Sequence, residues 1–216
     1  MRETHWKSSA REAWPVSLEE NADLLAARAG SGFRVTPSAR DAHRVEIWDV
    51  MPVGWLGNFT RAMSSVGIDI VRGLARRGEH ARWSAEFEVR ATGGWDVRYV
   101  DFLALAHERS REFAVQALEL QSFELERSEQ GRHALVLRVE ARDRTGFLAS
   151  LLELLAGFVL FPEELTIDTL LDEARDVLWL SSVGGESPAP GLEAALRAAL
   201  QACTRPRRPG SLFPST

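Results

Sequence analysis

Apolar and polar residues alternate along several short runs of the chain, and between these runs the apolar residues recur at helical spacing. Over residues 83–89, apolar side chains alternate with a serine and two glutamates, which is typical of a strand with one buried face. An earlier run has apolar residues every three or four positions, which predicts a helix with one buried face: Leu56, Phe59, Met63 and Val66. From residue 43 the predicted order of elements is βαββαβ, with residues 114–127 as the last strand.

The same order of elements begins again near His133, and a shift of 92 residues relates the two copies. The shift aligns Gly54 with Gly146 at the turn between the first strand and the first helix. It also aligns the apolar face of the first helix in both copies: Leu56 with Leu148, Phe59 with Leu151, Met63 with Leu155 and Val66 with Phe158. Because strand, turn and helix align without a gap, we interpret the chain as a tandem repeat.

The repeat predicts the α+β fold class. Each βαββαβ unit is expected to be ferredoxin-like, a four-stranded antiparallel sheet with its helices on one face. We place the first domain at residues 43–128 and the second at residues 133–203. No strand is evident after Cys203, so the fourth strand of the second unit is either degenerate or supplied by another segment, such as part of residues 114–127.

The two flanks of the repeat differ from it in composition. Residues 1–42 are predicted to form an N-terminal arm, a helix over residues 17–29 and a linker over residues 31–42 that is rich in Gly, Ser and Pro. Residues 204–216 contain proline and arginine and are predicted to form a flexible tail.

Charge and hydropathy exclude two classes of partner. The 216 residues carry a net charge of -5, whereas a general nucleic-acid-binding protein is usually basic. No apolar run approaches the roughly 18 residues of a membrane helix. Residues 1–14 are polar and lack the apolar core of a signal peptide. We therefore expect a cytoplasmic protein that binds neither nucleic acid nor membranes.

Residues suited to catalysis or metal binding form no recognisable set in the sequence. No two of the five histidines are three or four residues apart, and Cys203 is the single cysteine. Ser181 and Ser182 lack a recognisable His–Asp motif, and no glycine-rich loop has the lysine of a phosphate loop. We expect no catalytic residue, no metal and no cofactor, and hence no enzyme.

The strand–turn–helix junctions carry a family resemblance. In the second copy a strand is followed by Asp143-Arg144-Thr145-Gly146-Phe147-Leu148. This turn resembles the Asp-Arg-x-Gly-aromatic/Leu-Leu turn of the ACT domain family, and the second copy is similar to the C-terminal ACT repeats of bacterial uridylyltransferases, which sense glutamine. The first copy has Val53-Gly54-Trp55-Leu56 at the same place. It has Met51 where the family has an acidic residue.

The resemblance implies that the turns bind a free amino acid, and the local chemistry agrees with this. A glycine leaves backbone N–H groups accessible, and a helix N-terminus favours a carboxylate. Asp143 would suit an α-ammonium group; alternatively, Asp143 is a helix cap or turn residue and Gly146 serves only the tight turn. The candidate ligand-binding residues are Asp143, Thr145, Gly146, Phe147 and Leu148 in the second copy and Val53, Gly54, Trp55 and Leu56 in the first.

The function that these observations favour is regulatory and non-catalytic. The ACT-like domains would bind a small metabolite, an amino acid by the resemblance, and thereby modulate a partner. We expect either a homodimer or a complex with a partner enzyme or regulator. The alternative is an ACT-like dimerisation or interaction module without a ligand pocket, which Met51 would favour. An enzyme on a ferredoxin-like frame is a third hypothesis with no residue set to support it.

Overall fold

The structure, a computed structural model, describes residues 30–38, 41–92, 94, 96–108, 117–128, 134–183 and 188–205. The predicted arm and the predicted helix at residues 17–29 lie outside the described residues, as does most of the predicted tail. Within the described ranges the chain forms eight strands and four α-helices. None of the helices in these ranges is long and apolar enough to span a membrane.

The elements follow one another in two similar series. The first series is β1 (Gly32–Pro37), β2 (Ala42–Val50), α1 (Trp55–Ser65), β3 (Ile68–Arg77), β4 (Arg82–Ala91) and α2 (Phe102–His107). The second series is β5 (Ser122–Arg127), β6 (Leu135–Arg142), α3 (Phe147–Gly157), β7 (Leu160–Leu170), β8 (Glu173–Ser182) and α4 (Pro190–Ala202). Helices α1 and α3 both have 11 residues and begin 92 residues apart, as the sequence repeat predicts.

All eight strands join in one antiparallel sheet. Their order is β1-β2-β4-β3-β7-β8-β6-β5, so each series forms one half of the sheet. The halves meet at the centre, where β3 pairs with β7. The predicted α+β class, with two ferredoxin-like units whose helices lie on one face of antiparallel strands, is confirmed.

The position of the fourth strand along the chain differs from the prediction in the first unit and follows one of the two alternatives in the second. Residues 31–42, predicted as a linker, contain β1, which pairs with β2. Residues 114–127, predicted as the last strand of the first unit, contain β5, which pairs with β6 of the second unit. The suggestion that this segment supplies the missing strand of the second unit is confirmed. Each fourth strand precedes its partner along the chain, so the order in each unit is ββαββα.

The core lies between the sheet and the helices and is built from alternate strand residues. Val45 of β2 and Phe87 of β4 point toward the helices and are buried, as the alternation in the sequence predicts. Phe59 of α1 packs on this layer, with its ring centroid 5.3 Å from that of Phe87. The helical spacing of the apolar residues in α1 therefore positions the helix over β4.

The opposite face of the sheet carries cross-strand ion pairs. Arg44 of β2 lies 3.0 Å from Glu86 of β4, and Arg138 of β6 lies 2.8 Å from Glu126 of β5. The aliphatic stems of such arginines cover apolar strand surface while the charged ends stay near water. This face is therefore compatible with solvent without a second sheet to cover it.

Similar ion pairs join the two units at the centre of the sheet. Arg72 of β3 lies 3.3 Å from Asp168 of β7, and Arg76 lies 3.1 Å from Glu164. These pairs accompany the backbone hydrogen bonds of the β3–β7 ladder, which runs from Arg72 to Arg76 on one strand. The junction of the units is thus a continuous part of the sheet.

Two glycines lie where neighbouring elements approach closely, one within the first unit and one between the units. A Cβ atom at Gly73 of β3 would lie 2.4 Å from Cδ1 of Phe87, so the buried ring occupies the space of a side chain. A Cβ atom at Gly57 of α1 would lie 3.7 Å from Cβ of Leu152 on α3, which is ordinary contact. The absence of a side chain is therefore required at Gly73.

We predict that Gly73→Ala destabilises the protein by about 1–3 kcal/mol, because the added methyl group overpacks against the buried ring of Phe87. The matched control is Gly157→Ala at the end of α3, where an added Cβ would meet no atom within 4 Å. This control should be neutral or stabilising by up to about 1 kcal/mol, since alanine is the better helix former. Denaturant unfolding measures both variants; a wild-type free energy of unfolding for Gly73→Ala would contradict the prediction.

Candidate functional site

Each unit has a tight turn between a strand and a helix, and a glycine ends each turn. Gly54 precedes α1 with φ 79°, and Gly146 precedes α3 with φ 85°, which is the left-handed region that favours glycine. Neither helix has a side-chain cap hydrogen bond. The predicted turns are present in both units, and Asp143 is a turn residue that accepts from the N–H of Arg144 and not the cap of α3.

The β3–β7 pairing directs each turn toward the opposite unit. A Cβ atom at Gly54 would lie 3.4 Å from the ring of Phe161, at the start of β7. On the other turn, the hydroxyl of Thr145 donates a 3.0 Å hydrogen bond to the carboxylate of Asp69, at the start of β3. Each turn and the strand that faces it form the wall of a cavity at the junction of the units.

The cavity at the first turn, here the first cavity, has a volume of about 620 Å³. This volume lies within the range of about 300–1,000 Å³ that is usual for small-molecule sites. All four residues predicted for the first copy line it: Val53, Gly54, Trp55 and Leu56. The second unit contributes the facing wall from α3, the start of β7 and the end of β8.

Aromatic and aliphatic side chains from both units are prominent among the residues that line the first cavity. The rings of Trp55 and Trp83 meet edge to face, with centroids 5.3 Å apart, and both line the cavity. Phe161 and Leu152 of the second unit complete the apolar wall, together with Met51. Met51, which stands where the resembled turn has an acidic residue, is therefore part of an apolar surface.

Two ion pairs among the lining residues connect the units. The guanidinium of Arg61 on α1 pairs with Glu153 on α3, and Arg77 at the end of β3 lies 2.6 Å from Glu163 on β7. Both pairs are partly exposed to solvent. Positively and negatively charged groups therefore line the cavity beside the apolar side chains.

The cavity at the second turn, here the second cavity, is much smaller, at about 40 Å³. All five residues predicted for the second copy line it: Asp143, Thr145, Gly146, Phe147 and Leu148. This is room for about one water molecule, whose share of liquid volume is about 30 Å³. The stronger sequence motif therefore lies at the smaller cavity, and ligand binding at both turns stays a prediction.

The second cavity is acidic. Asp176 of β8 is buried on the helix-facing side of the sheet and lines the cavity with Asp143 and Asp69. Burial, and then the charges of Asp143 and Asp168, raise the pKa of Asp176 to about 8. Burial, followed by the charge of Asp69, also raises the pKa of Asp143. A carboxylic acid that is neutral near pH 7 is thus built into the junction of the units.

Sequence reasoning missed the residues that face the turns from the opposite unit. Leu152, Glu153 and Phe161 belong to the first cavity only because β3 pairs with β7, which no local pattern indicates. The sequence indicated Asp176 only weakly: it is a charged residue between Ala174 and Leu178, on the face of β8 that is otherwise buried and apolar. Within the described residues, no group of three His, Cys, Asp or Glu side chains could hold a metal ion.

Comparison with known proteins shows a distant structural similarity. No family model matches the sequence, and no curated protein matches it. The fold is similar to the crystal structure of aspartate kinase from Synechocystis, at 15% identity and a TM-score of 0.43. The similarity covers 75% of this chain and 26% of that chain, so the protein spans about a quarter of the enzyme's length. We draw nothing about activity or ligand from it.

We predict that the contribution of Asp176 to stability falls as the pH rises from about 4 to 8, because its buried carboxyl group retains a proton that the unfolded chain has already released. Its folded pKa of about 8 lies above the ordinary value of 3.8, so the folded state binds more protons than the unfolded state between these values. The raised pKa of Asp143 acts in the same direction. The stabilising contribution is therefore lost as the pH rises through the folded pKa.

Thermal unfolding of the wild type and of Asp176→Asn across this pH range measures the effect. The variant should lose most of the pH dependence and should exceed the wild type in Tm at the alkaline end. Asp101→Asn is the matched control, because the Asp101 side chain caps α2 by accepting from the N–H of Ala104, and asparagine caps equally well. Parallel pH profiles for wild type and Asp176→Asn would contradict the prediction.

Proposed function

We propose that this protein is a non-catalytic regulatory module that binds an amino acid in the first cavity and thereby alters its association with a partner. The observation that carries the proposal is a cavity of about 620 Å³ bounded by the Gly54 turn of one unit and by α3 and β7 of the other. The ACT-like resemblance of the turns, given by the sequence, supports the same assignment. The partner is either a second copy of the chain or another enzyme or regulator.

The start of α1 is suited to the carboxylate of the ligand. Helix N-termini carry unpaired N–H groups and a partial positive charge. At Gly54 there is no side chain between these groups and the cavity, and no side chain of the described residues caps the helix. The N–H groups of Trp55 and Gly57 already donate to the carbonyls of Pro52 and Gly54, so a carboxylate in this position would accept from the N–H of Leu56.

The charged lining residues are suited to a zwitterion. The carboxylate of an amino acid can pair with an arginine of the Arg61–Glu153 or Arg77–Glu163 pair, and its ammonium group can pair with the glutamate. No charge is then left unpaired. An uncharged or singly charged ligand cannot do this, and an unpaired charge near a closed site is costly. The lining therefore favours a molecule that carries both signs.

The apolar wall favours a large apolar side chain on that amino acid. Phe161 is only partly buried and offers ring surface, with Trp55 and Trp83 buried behind the lining, whereas the amide of glutamine would lose hydrogen bonds to water against such a wall. Burying a side chain such as that of phenylalanine or leucine contributes about 1.5–3 kcal/mol. The glutamine specificity that the uridylyltransferase resemblance suggests is thus less suited to the first cavity than an aromatic or branched amino acid.

Binding in this place would couple the ligand to the relative orientation of the units. A ligand in the first cavity contacts α1 and the Gly54 turn on one side and α3 and β7 on the other. Its differential affinity for two orientations would shift their populations, and such couplings are typically about 1–3 kcal/mol. A partner that binds across both units would sense that shift.

We predict that a thermal-shift screen of the standard amino acids at millimolar concentration gives its largest effects with phenylalanine, tryptophan, leucine and methionine. A ligand at 100 times its Kd stabilises by about 2.7 kcal/mol, which is about 5–10 °C in Tm for a chain of this length. Calorimetric titration of the best amino acid then gives the stoichiometry, which we expect to be one ligand per chain.

A substitution that fills the cavity tests the location. Ala156→Phe places a ring on an exposed position of α3 that lines the first cavity and should weaken binding at least about tenfold, or about 1.4 kcal/mol. Ala198→Phe, on an exposed position of α4 away from the junction, is the matched control and should bind normally. A flat screen on well-folded protein would overturn the proposal and favour an interaction module without a ligand.

A further inference from the structure

The second cavity contains a buried carboxylate oxygen without a donor. Asp176 lies on β8 between Val139 of β6 and Ile167 of β7, and it is 2% exposed. The backbone N–H of Asp168 donates to the carboxyl group, but Oδ1 has no hydrogen-bond partner among the described residues. A buried acceptor without a donor is costly, so the occupant of the cavity is expected to supply one.

Two further carboxylates line the same cavity from other elements. Asp143 comes from the turn before α3, and Asp69 comes from the start of β3 in the other unit. The hydroxyls of Thr145 and Thr60 also lie on residues of the lining. Carboxylates that share a small site repel one another unless a proton or a cation lies between them.

The arginines near the cavity are engaged elsewhere. Arg144 lines it, but its guanidinium donates to the carbonyl of Ala117. Arg175 of β8 pairs with Glu140 and Glu173. No ion pair in the described part of the chain includes Asp69, Asp143 or Asp176, so no arginine of the described residues pairs with these three carboxylates.

The size and the donor requirement of the cavity restrict the occupant. A volume of about 40 Å³ admits an ion no larger than about one water molecule. A metal ion needs several ligands at about 2.0–2.6 Å, and no trio of His, Cys, Asp or Glu in the described ranges is arranged to hold one, whereas hydrogen bonds from a cation to carboxylates are longer, at about 2.7–2.9 Å. An ammonium ion has the size of a water molecule, carries one positive charge and donates hydrogen bonds in four directions.

We propose that the second cavity binds an ammonium ion between the carboxylates of Asp176, Asp143 and Asp69. The ion would donate to Oδ1 of Asp176 and offset the repulsion between the carboxylates of the two units. This site is separate from the first cavity and does not depend on the proposed amino-acid ligand. Ammonium would strengthen the contact between the turn before α3 and the start of β3.

Ammonium competes with a proton for this cavity. The groups that face Asp176 are Asp143 in the turn and Asp168 on β7, both acidic, and its strand neighbours Val139 and Ile167 are apolar. Asp69 and Asp172 act on the same site through Asp143. Because burial raises the pKa of Asp176 and of Asp143, ammonium binds more tightly as the pH rises and these two groups lose their protons.

The test is thermal unfolding of the full chain at about pH 8.5, where Asp176 is mostly ionised and ammonium still carries its proton. Ammonium, potassium, sodium and tetramethylammonium chlorides are compared at one ionic strength of about 100 mM, so that general screening is equal. We expect ammonium to raise Tm by about 3 °C over the other cations and to lose this effect near pH 6.

Two variants and a control locate the effect. Asp176→Asn and Asp143→Asn should each remove the difference between ammonium and tetramethylammonium, whereas Asp101→Asn should keep it. Equal Tm values in all four salts would overturn the proposal and leave the proton as the occupant. An equal effect of potassium and ammonium, or an ammonium effect that persists in folded Asp176→Asn, would also overturn it.

Discussion

The antiparallel pairing of β3 with β7 is the constraint on which the rest of the structure depends. It joins two four-stranded sheets into one and brings α1 beside α3, with Gly57 against Leu152. Because the strands run side by side in register from Arg72 to Arg76, each glycine turn faces the start of a strand from the other unit. Without this pairing each turn would face solvent, and neither cavity would have a second wall.

The two junction cavities share a backbone but differ in chemistry. The glycines that form the turns are repeated at Gly54 and Gly146, and the helices that follow have equal length. The side chains around them have diverged: Met51 corresponds to Asp143, and Phe161 in the facing strand corresponds to Asp69. One cavity is consequently large and mostly apolar, and the other is small and acidic. The lining residues therefore do not favour the same ligand in the two cavities.

The sequence predicted the local features of this fold well and the non-local ones poorly. Strand alternation, helical spacing and the repeated glycine located β2, α1, β6 and α3, because these signals lie within short windows. The fourth strand of the first unit was misplaced because β1 is an edge strand with only half-buried Phe33 and Val35, which leaves weak alternation. The relative size of the cavities was not predictable either. It depends on side chains such as Phe161 that reach each turn from the other unit.

The central claim is that one small molecule in the first cavity contacts both units at once. Hydrogen–deuterium exchange with and without saturating L-phenylalanine tests this most directly, because it reports on each segment separately. The account predicts slower amide exchange at residues 54–58, at the start of α1, and at residues 161–163 on β7. No change in either segment, or a change confined to the turn at residues 143–148, would contradict it.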